Sequence, residues 1–169
     1  EESTQRFALG LAPDGWSGLL RAAVQQRIPT QLLLRTGLIK EKTEASSSTD
    51  RHYDAFRNRL IFPINDVMGR IICFGGRALG DDPAKYLNSP QSVLFDKSRC
   101  LYGLHTAKDA FREERTAVIV EGYVDCLMAQ QHGFFGTIAT LGTALTLEHV
   151  RILHRYVDTV ILVFDSDEA

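Results

Sequence analysis

The sequence predicts an α/β protein in two parts: a mixed α+β segment over residues 1–115, then the beginning of a strand–helix–strand fold over residues 116–169. Three observations carry this reading. From residue 116 the apolar runs AVIV, TIAT and TVILVF alternate with helical stretches, which implies parallel strands joined by right-handed crossovers. Before them, RLIFPIND and VMGRIICFGGRAL (residues 59–79) are rich in strand formers and read as a hairpin turning at Asn65-Asp66. Charge is also unevenly placed. Residues 1–50 hold 6 basic and 6 acidic groups, residues 51–115 hold 11 and 8, and residues 116–169 hold 2 and 7. The basic middle suits phosphate groups, and the acidic end suits the cations that bridge to them.

The remaining elements follow in order. Asp14 is placed to cap a helix over residues 15–26, where Trp16, Leu19, Leu20 and Ala23 recur at helical spacing. Ile28-Pro29 breaks it. Pro29 opens a second helix, TQLLLRT, and Gly37 ends it. Residues 40–52 are polar, serine-rich and aperiodic, and read as a loop. Residues 80–100 read as irregular, and 103–114 as an amphipathic helix. Residues 123–132 form the helix after the first parallel strand, and Thr146 caps another that runs to about Tyr156.

Composition narrows the classes. The 169 residues are 44% hydrophobic, enough for one compact domain or two small ones. No apolar run approaches the ~18 to 20 residues a bilayer requires. EESTQRF has neither the basic nor the apolar region of a secretory signal, so a cytoplasmic protein is expected. The chain starts without Met and stops at FDSDEA, and is expected to be a piece of a longer protein. Cys73, Cys100 and Cys126 are far apart and form no C-x-x-C pair, so they read as reduced thiols in or near the core. The five histidines show no metal-binding spacing and read as structural or surface residues.

The chemistry concentrates where two apolar strands end in acids. AVIV runs into Glu121, and TVILVF into Asp165 and Asp167. Parallel strands end at one edge, so Glu121 and Asp165 share the carboxyl edge at which α/β sheets hold their ligands. Asp125, one turn into the following helix, can lean back toward it. Alternation along FDSD puts Asp165 and Asp167 on the same side. Two such charges ~4 Å apart repel by on the order of 4 kcal/mol at an effective dielectric near 20. A hard divalent cation offsets that repulsion, and Mg²⁺ keeps coordination positions open for phosphate oxygens. Read singly, each acid is an ordinary turn or helix-start residue; the shared edge favours a metal site.

EGYVD at 121–125, the intervening LGTALT and the strand ending in DSD resemble the Toprim domain. FALGLAPDGW, RNRLIFPI, GRIICFGGRAL, KYLNSP and LYGL extend the likeness, over nearly the whole chain, to the catalytic core of bacterial DnaG-type DNA primase. The resemblance implies a DNA-directed RNA polymerase, a nucleotidyltransferase that makes short RNA primers on single-stranded DNA from nucleoside triphosphates during replication. It implies Mg²⁺ or Mn²⁺ held by Glu121, Asp165 and Asp167 as the catalytic acids, with Asp125 close by. It also implies that Arg77, Lys85 and Lys97 face template, primer or nucleotide phosphates, with Tyr86 and Asn88 in the same stretch. The family's Toprim domain continues to a further acidic pair, so the Toprim part is expected to be incomplete here and the fragment alone inactive or weakly active. Zinc is expected only in an N-terminal domain, and the replicative helicase only through a C-terminal domain, neither of which this chain includes.

The residues of FGGRALGDDPAKYLNSP agree with that reading: Gly-rich, Pro-broken and dotted with cations, they suit phosphate contacts that carry no sequence information. Gly75-Gly76 offers a close backbone approach to a ligand. Arg57 and Arg59 are weaker phosphate candidates that also serve to flank a strand. Tyr53 and Phe56 are either stacking platforms or core. Two other classes stay open. One is a Toprim nuclease or topoisomerase, for which Tyr123 is a poor nucleophile because it lies inside EGYVD. The other is a DNA-binding scaffold without chemistry.

Overall fold

The computed structural model describes residues 2–42 and 51–165. In chain order the first elements are α1 (Glu2–Arg6), β1 (Gly10–Ala12), α2 (Gly18–Gln25), α3 (Thr30–Arg35), β2 (Ile39–Glu41) and β3 (His52–Asp54). Next come β4 (Arg59–Asn65), β5 (Ile71–Ala78), β6 (Tyr86–Asn88) and a 3-10 turn (Lys97–Arg99). The last are α4 (Leu104–Glu114), β7 (Thr116–Val120), α5 (Tyr123–Gln131), β8 (Thr137–Ala139), α6 (Leu147–Leu153) and β9 (Thr159–Leu162). No helix among the described residues is long and apolar enough to cross a membrane.

Packing separates the chain into two compact units. One takes in residues 9–63 and 73–92, the other residues 1–8, 64–72 and 93–169 as far as they are described. Helix α4 packs its buried Ala107 and Phe111 with Ala117 and Ile119 of β7.

The 9–63 and 73–92 unit is built on a sheet ordered β1-β4-β5-β6. Gly10 lies opposite Ile61, and Gly75 opposite Asn88, in antiparallel pairs. The expected hairpin is β4–β5. Its turn is held by Asp66, whose carboxylate accepts the N–H groups of Met68 and Arg70 at 2.8 and 3.0 Å. Lys40, Glu41 and His52 of the predicted loop are strand: Ile39 to Glu41 pair with Asp54 to His52. Residues 43–50, the rest of the predicted loop, lie outside the described residues.

The short β2–β3 ladder explains a second difference. Helix α2 starts at Gly18, and Asp54, not Asp14, caps it. Asp54 accepts the N–H groups of Leu19 and Leu20 at 2.7 and 3.1 Å. A buried carboxylate brought in by a strand outcompetes the local candidate, because it satisfies two orphan donors at once. Trp16 therefore precedes the helix and stands 62% exposed. Gly37 ends α3 as expected, at φ +69°, and a side chain there would meet Pro90 Cδ at 2.1 Å.

The other unit is a parallel sheet ordered β8-β7-β9, with Val118 opposite Thr137 on one side and Ile161 on the other. Its core joins Phe111, Ile119, Ile138 and Leu153. The strand–helix alternation read from the sequence is thus present, with α5 between β7 and β8 and α6 between β8 and β9. Thr146 does cap α6, but the helix ends at Leu153, three residues short of Tyr156. The chain then turns so that Arg115 can grip Asp158, at 2.7 and 3.0 Å, and the carbonyl of Tyr156, at 2.8 Å.

Candidate functional site

Strand β7 delivers Glu121 to the carboxyl edge and β9 delivers Asp165. Both are exposed. The chain beyond β9 stays beside β7: the Val163 N–H donates to the Ile119 carbonyl at 2.9 Å. Two residues on, the Asp165 N–H donates to Glu121 Oε1 at 3.1 Å. Asp125 sits in the first turn of α5 and folds back, accepting the Gly122 N–H on Oδ2 at 3.1 Å. Gly122 is what leaves room for this, since a Cβ there would lie 2.8 Å from Asp125 Oδ2. Asp167 lies outside the described residues.

The donors suit a hard cation. Glu121 and Asp125 each turn one oxygen to a backbone N–H, which orients the carboxylate. Glu121 Oε2 and Asp125 Oδ1 accept no hydrogen bond from a described residue. Oxygen donors of this kind suit hard divalent cations. Among the described residues no three acids, histidines or cysteines converge into a metal-binding group. Glu121, Asp125 and Asp165 therefore share an edge without forming a closed cage.

Tyr123 is buried at 4% exposure, and its ring stands edge-on to Tyr102 at 5.2 Å between centroids. A residue so placed is core and not a nucleophile facing a strand of DNA.

Lys97 belongs to the same unit as the acids and lies on the 3-10 turn. Arg77, Lys85, Tyr86 and Asn88 belong to the other unit, on β5, β6 and the loop between them. Arg77 pairs with Tyr86 across β5–β6, its guanidinium 5.9 Å from the ring centroid. Lys85 is exposed, and its carbonyl accepts the Ala78 N–H at 2.9 Å.

Two readings of the neighbouring residues change. Gly76 makes room for Phe56 and Arg59: a Cβ there would meet Phe56 Cδ1 at 2.8 Å and Arg59 Cδ at 3.1 Å. The small residue thus answers internal packing. Arg59 is 4% exposed and points inward, donating to Asp82 Oδ2 at 2.6 Å and to the Ala84 carbonyl at 2.8 Å. The Ala84 N–H and, against some burial, the Arg59 guanidinium hold the Asp82 carboxyl below the usual carboxylate range. Arg59 is thus a strut for the loop that carries Lys85.

Trp16, expected inside a helix, instead joins Arg57 and Tyr53 at the surface. The Arg57 guanidinium lies 4.3 Å from the Trp16 ring centroid and 5.2 Å from that of Tyr53, and the two rings meet edge-on at 5.6 Å. Arg57 is held in place by donating to the Asp54 carbonyl at 2.6 Å. An exposed indole under an anchored cation is a surface on which a base can stack. The signal was present in PDG immediately before Trp16, a turn sequence that argues against placing Trp16 inside a helix.

A parallel sheet with carboxylates at its carboxyl edge and α-helical crossovers is the arrangement of a Toprim domain, and residues 115–169 match that domain. Residues 1–108 match the DNA primase catalytic core, N-terminal domain, and the chain belongs to the DNA primase catalytic core family. The DNA primase of Deinococcus radiodurans is 45% identical over the whole chain, which covers 29% of that protein. A solved DNA primase domain from Pseudomonas aeruginosa is 42% identical with a TM-score of 0.86; the alignment covers 99% of this chain and 51% of that one. A DnaG primase catalytic domain solved bound to single-stranded DNA is 41% identical with a TM-score of 0.88, over 99% of this chain and 50% of the other. The chain thus spans under a third of the curated relative and about half of each solved core.

Proposed function

We propose that this chain is the part of a bacterial DNA primase that holds the catalytic acids and the template- and nucleotide-facing cations, and that the protein carrying it synthesises short RNA primers on single-stranded DNA. The observation that carries the reading is the Asp165–Glu121 hydrogen bond, which ties two carboxylate-bearing strand ends together at one sheet edge. In this reading Glu121, Asp165 and Asp167 are the catalytic acids and hold Mg²⁺ or Mn²⁺, with Asp125 beside them. The metal, when bound, neutralises charge on the triphosphate and on the attacking and leaving oxygens during nucleotidyl transfer.

The chain's own residues do the rest. The backbone N–H groups of Asp165 and Gly122 fix the carboxylates of Glu121 and Asp125 before any ligand arrives. Arg77, Lys85 and Lys97 neutralise phosphates of template, primer or incoming nucleotide, contacts that carry no sequence information. Tyr86 and Asn88 line the same strand, and Trp16 with Arg57 gives an unpaired base a surface to stack on. Residues 1–115 act as the nucleic-acid-binding part and 116–169 as the Toprim part. Zinc and the replicative helicase would be engaged by other domains of such a primase, in the cytoplasm as part of the replisome.

The test is template-dependent ribonucleotide incorporation by the full-length protein. Loss of incorporation in Glu121→Gln, with single-stranded DNA binding retained, is the expected result. Unchanged incorporation would make the chain a DNA-binding scaffold. Strand cleavage in place of synthesis would make it a nuclease. The buried Tyr123 already disfavours a topoisomerase-like tyrosine nucleophile.

A further inference from the structure

The LGTALT segment and the helix that follows carry a job that the catalytic acids leave unexplained. His149 is fully buried on α6, yet both of its ring nitrogens meet backbone polar groups. The Thr146 N–H donates to its Nδ1 at 3.2 Å, and its Nε2 lies 3.0 Å from the carbonyl of Lys97. A carbonyl only accepts and a backbone N–H only donates, so the two partners fix one neutral tautomer, with the proton on Nε2. Thr146 adds a parallel link: its hydroxyl donates to the Ser98 carbonyl at 2.6 Å and accepts the His149 N–H at 3.1 Å. Asp96 holds the same turn from its other end, accepting the Ser98 N–H at 2.9 Å. The start of α6 therefore grips the backbone of Lys97 and Ser98 at two adjacent carbonyls.

We propose that His149 and Thr146 are positioning residues for Lys97, holding the 96–100 turn so that the Lys97 ammonium is presented to a phosphate of the template, primer or nucleotide. The proposal rests on the phosphate-facing reading of Lys97. Its chemistry is specific. Gln places a donor where Nε2 is and keeps the link to Lys97; Asn reaches only as far as Nδ1 and loses it. Protonation has the same effect as losing an acceptor, because Nδ1 would then present a proton to the Thr146 N–H. Burial holds the imidazole below the ordinary histidine pKa, in keeping with a neutral ring. The charged and titratable groups around it are Asp96, Lys97, Arg99 and Cys100 on the turn, and Glu148 and Arg151 on its own helix. Glu148 meets both arginines, so the charges nearest α6's start pair among themselves.

The experiment is a double-mutant cycle in the full-length protein, read as binding of a labelled single-stranded oligonucleotide and of ATP. Lys97→Met alone is expected to weaken one of these several-fold. His149→Asn is expected to weaken the same ligand by a similar factor in the wild-type background and by nothing further on top of Lys97→Met, while His149→Gln retains binding. Thr146→Val should behave like His149→Asn, and Thr146→Ser like wild type, which keeps the test open if the Asn variant folds poorly. As pH falls below the ordinary histidine range, the advantage of wild type over Lys97→Met should shrink, and it should not shrink in His149→Gln. Multiplying losses in the cycle, or a Gln variant as weak as the Asn variant, overturns the positioning role while leaving Lys97 in its site. An unaffected Lys97→Met overturns the reading of Lys97 itself.

Discussion

The backbone N–H of Asp165 donates to Glu121 Oε1 at 3.1 Å, across 44 residues of sequence. The bond makes the orientation of the Glu121 carboxylate depend on the path of the chain leaving β9. A main-chain donor cannot be removed by mutating Asp165, so Asp165→Asn should keep Glu121 oriented and remove only a charge. Both Glu121→Gln and Asp165→Asn are expected to weaken Mn²⁺ binding by the full-length protein by about 10-fold or more, since losing even a hydrogen-bond partner of a metal ligand costs about 10- to 100-fold. Calorimetric titration checks this, and equal Mn²⁺ affinity in either variant would remove that residue from the metal site.

Gly122→Ala places a methyl group 2.8 Å from the Asp125 carboxylate. The side chain has to swing away and gives up its hydrogen bond to the Gly122 N–H. The expected cost is about 1 kcal/mol, the usual scale for a lost helix cap, read as a lower midpoint in urea. Weaker metal binding should accompany it. A variant with unchanged stability and metal affinity would show that the folded-back position of Asp125 does not matter.

Trp16→Ala touches an exposed side chain, so stability should barely change. Single-stranded DNA binding should weaken by about 1–3 kcal/mol if one base stacks there. The slope of log affinity against log salt should stay the same, since no charge is lost. Arg57→Met, by contrast, is expected to flatten that slope by roughly 0.7 if the guanidinium meets a phosphate. Filter binding across a salt series separates the two contributions.

Arg59→Lys keeps the charge and removes the fork that reaches both Asp82 and Ala84. A stability loss of about 1–3 kcal/mol is expected from that buried network. A phosphate contact by Arg59 would instead leave the melting temperature near wild type and change DNA binding alone.

The pH dependence of stability has a defined sign. His105 and His149 both have folded-state values lowered from 6.5, in each case chiefly by burial. The unfolded chain therefore takes up the proton first. Stability should be level above 6.5 and fall as pH drops from there toward the lower folded-state values. Asp66, Asp82 and Asp158, lowered from 3.8, act in a separate window further into acid. Melting curves from pH 7.5 to 5.5 should shift less for His105→Gln with His149→Gln than for wild type.

The half of the fold that follows β–α alternation was legible because its signals are local. AVIV, TIAT and TVILVF are short apolar runs bounded by polar residues, and Thr146 caps the helix it precedes. The placement of Glu121 and Asp165 at the sheet edge was legible for the same reason, each standing where an apolar run stops. What escaped were features made by distant partners. Asp54 caps α2 from 35 residues away. Arg59 looked like a strand-flanking cation, and its burial depends on Asp82 and Ala84 in a loop 23 to 25 residues on. His149 carries no metal spacing, and nothing in its neighbourhood in sequence names Lys97, 52 residues earlier, as its partner.

Trp16 is the only tryptophan in these 169 residues, and it stands in solvent beneath Arg57. Its emission is therefore a single-site signal from the stacking surface, free of background from other indoles in this chain. A base that stacks on the ring, on the guanidinium's face or on the opposite one, changes the polarity around the indole and is expected to shift or quench its emission. Fluorescence of the unlabelled chain would thus count occupancy of that one position, and Arg57→Met would supply the spectrum of the uncovered ring.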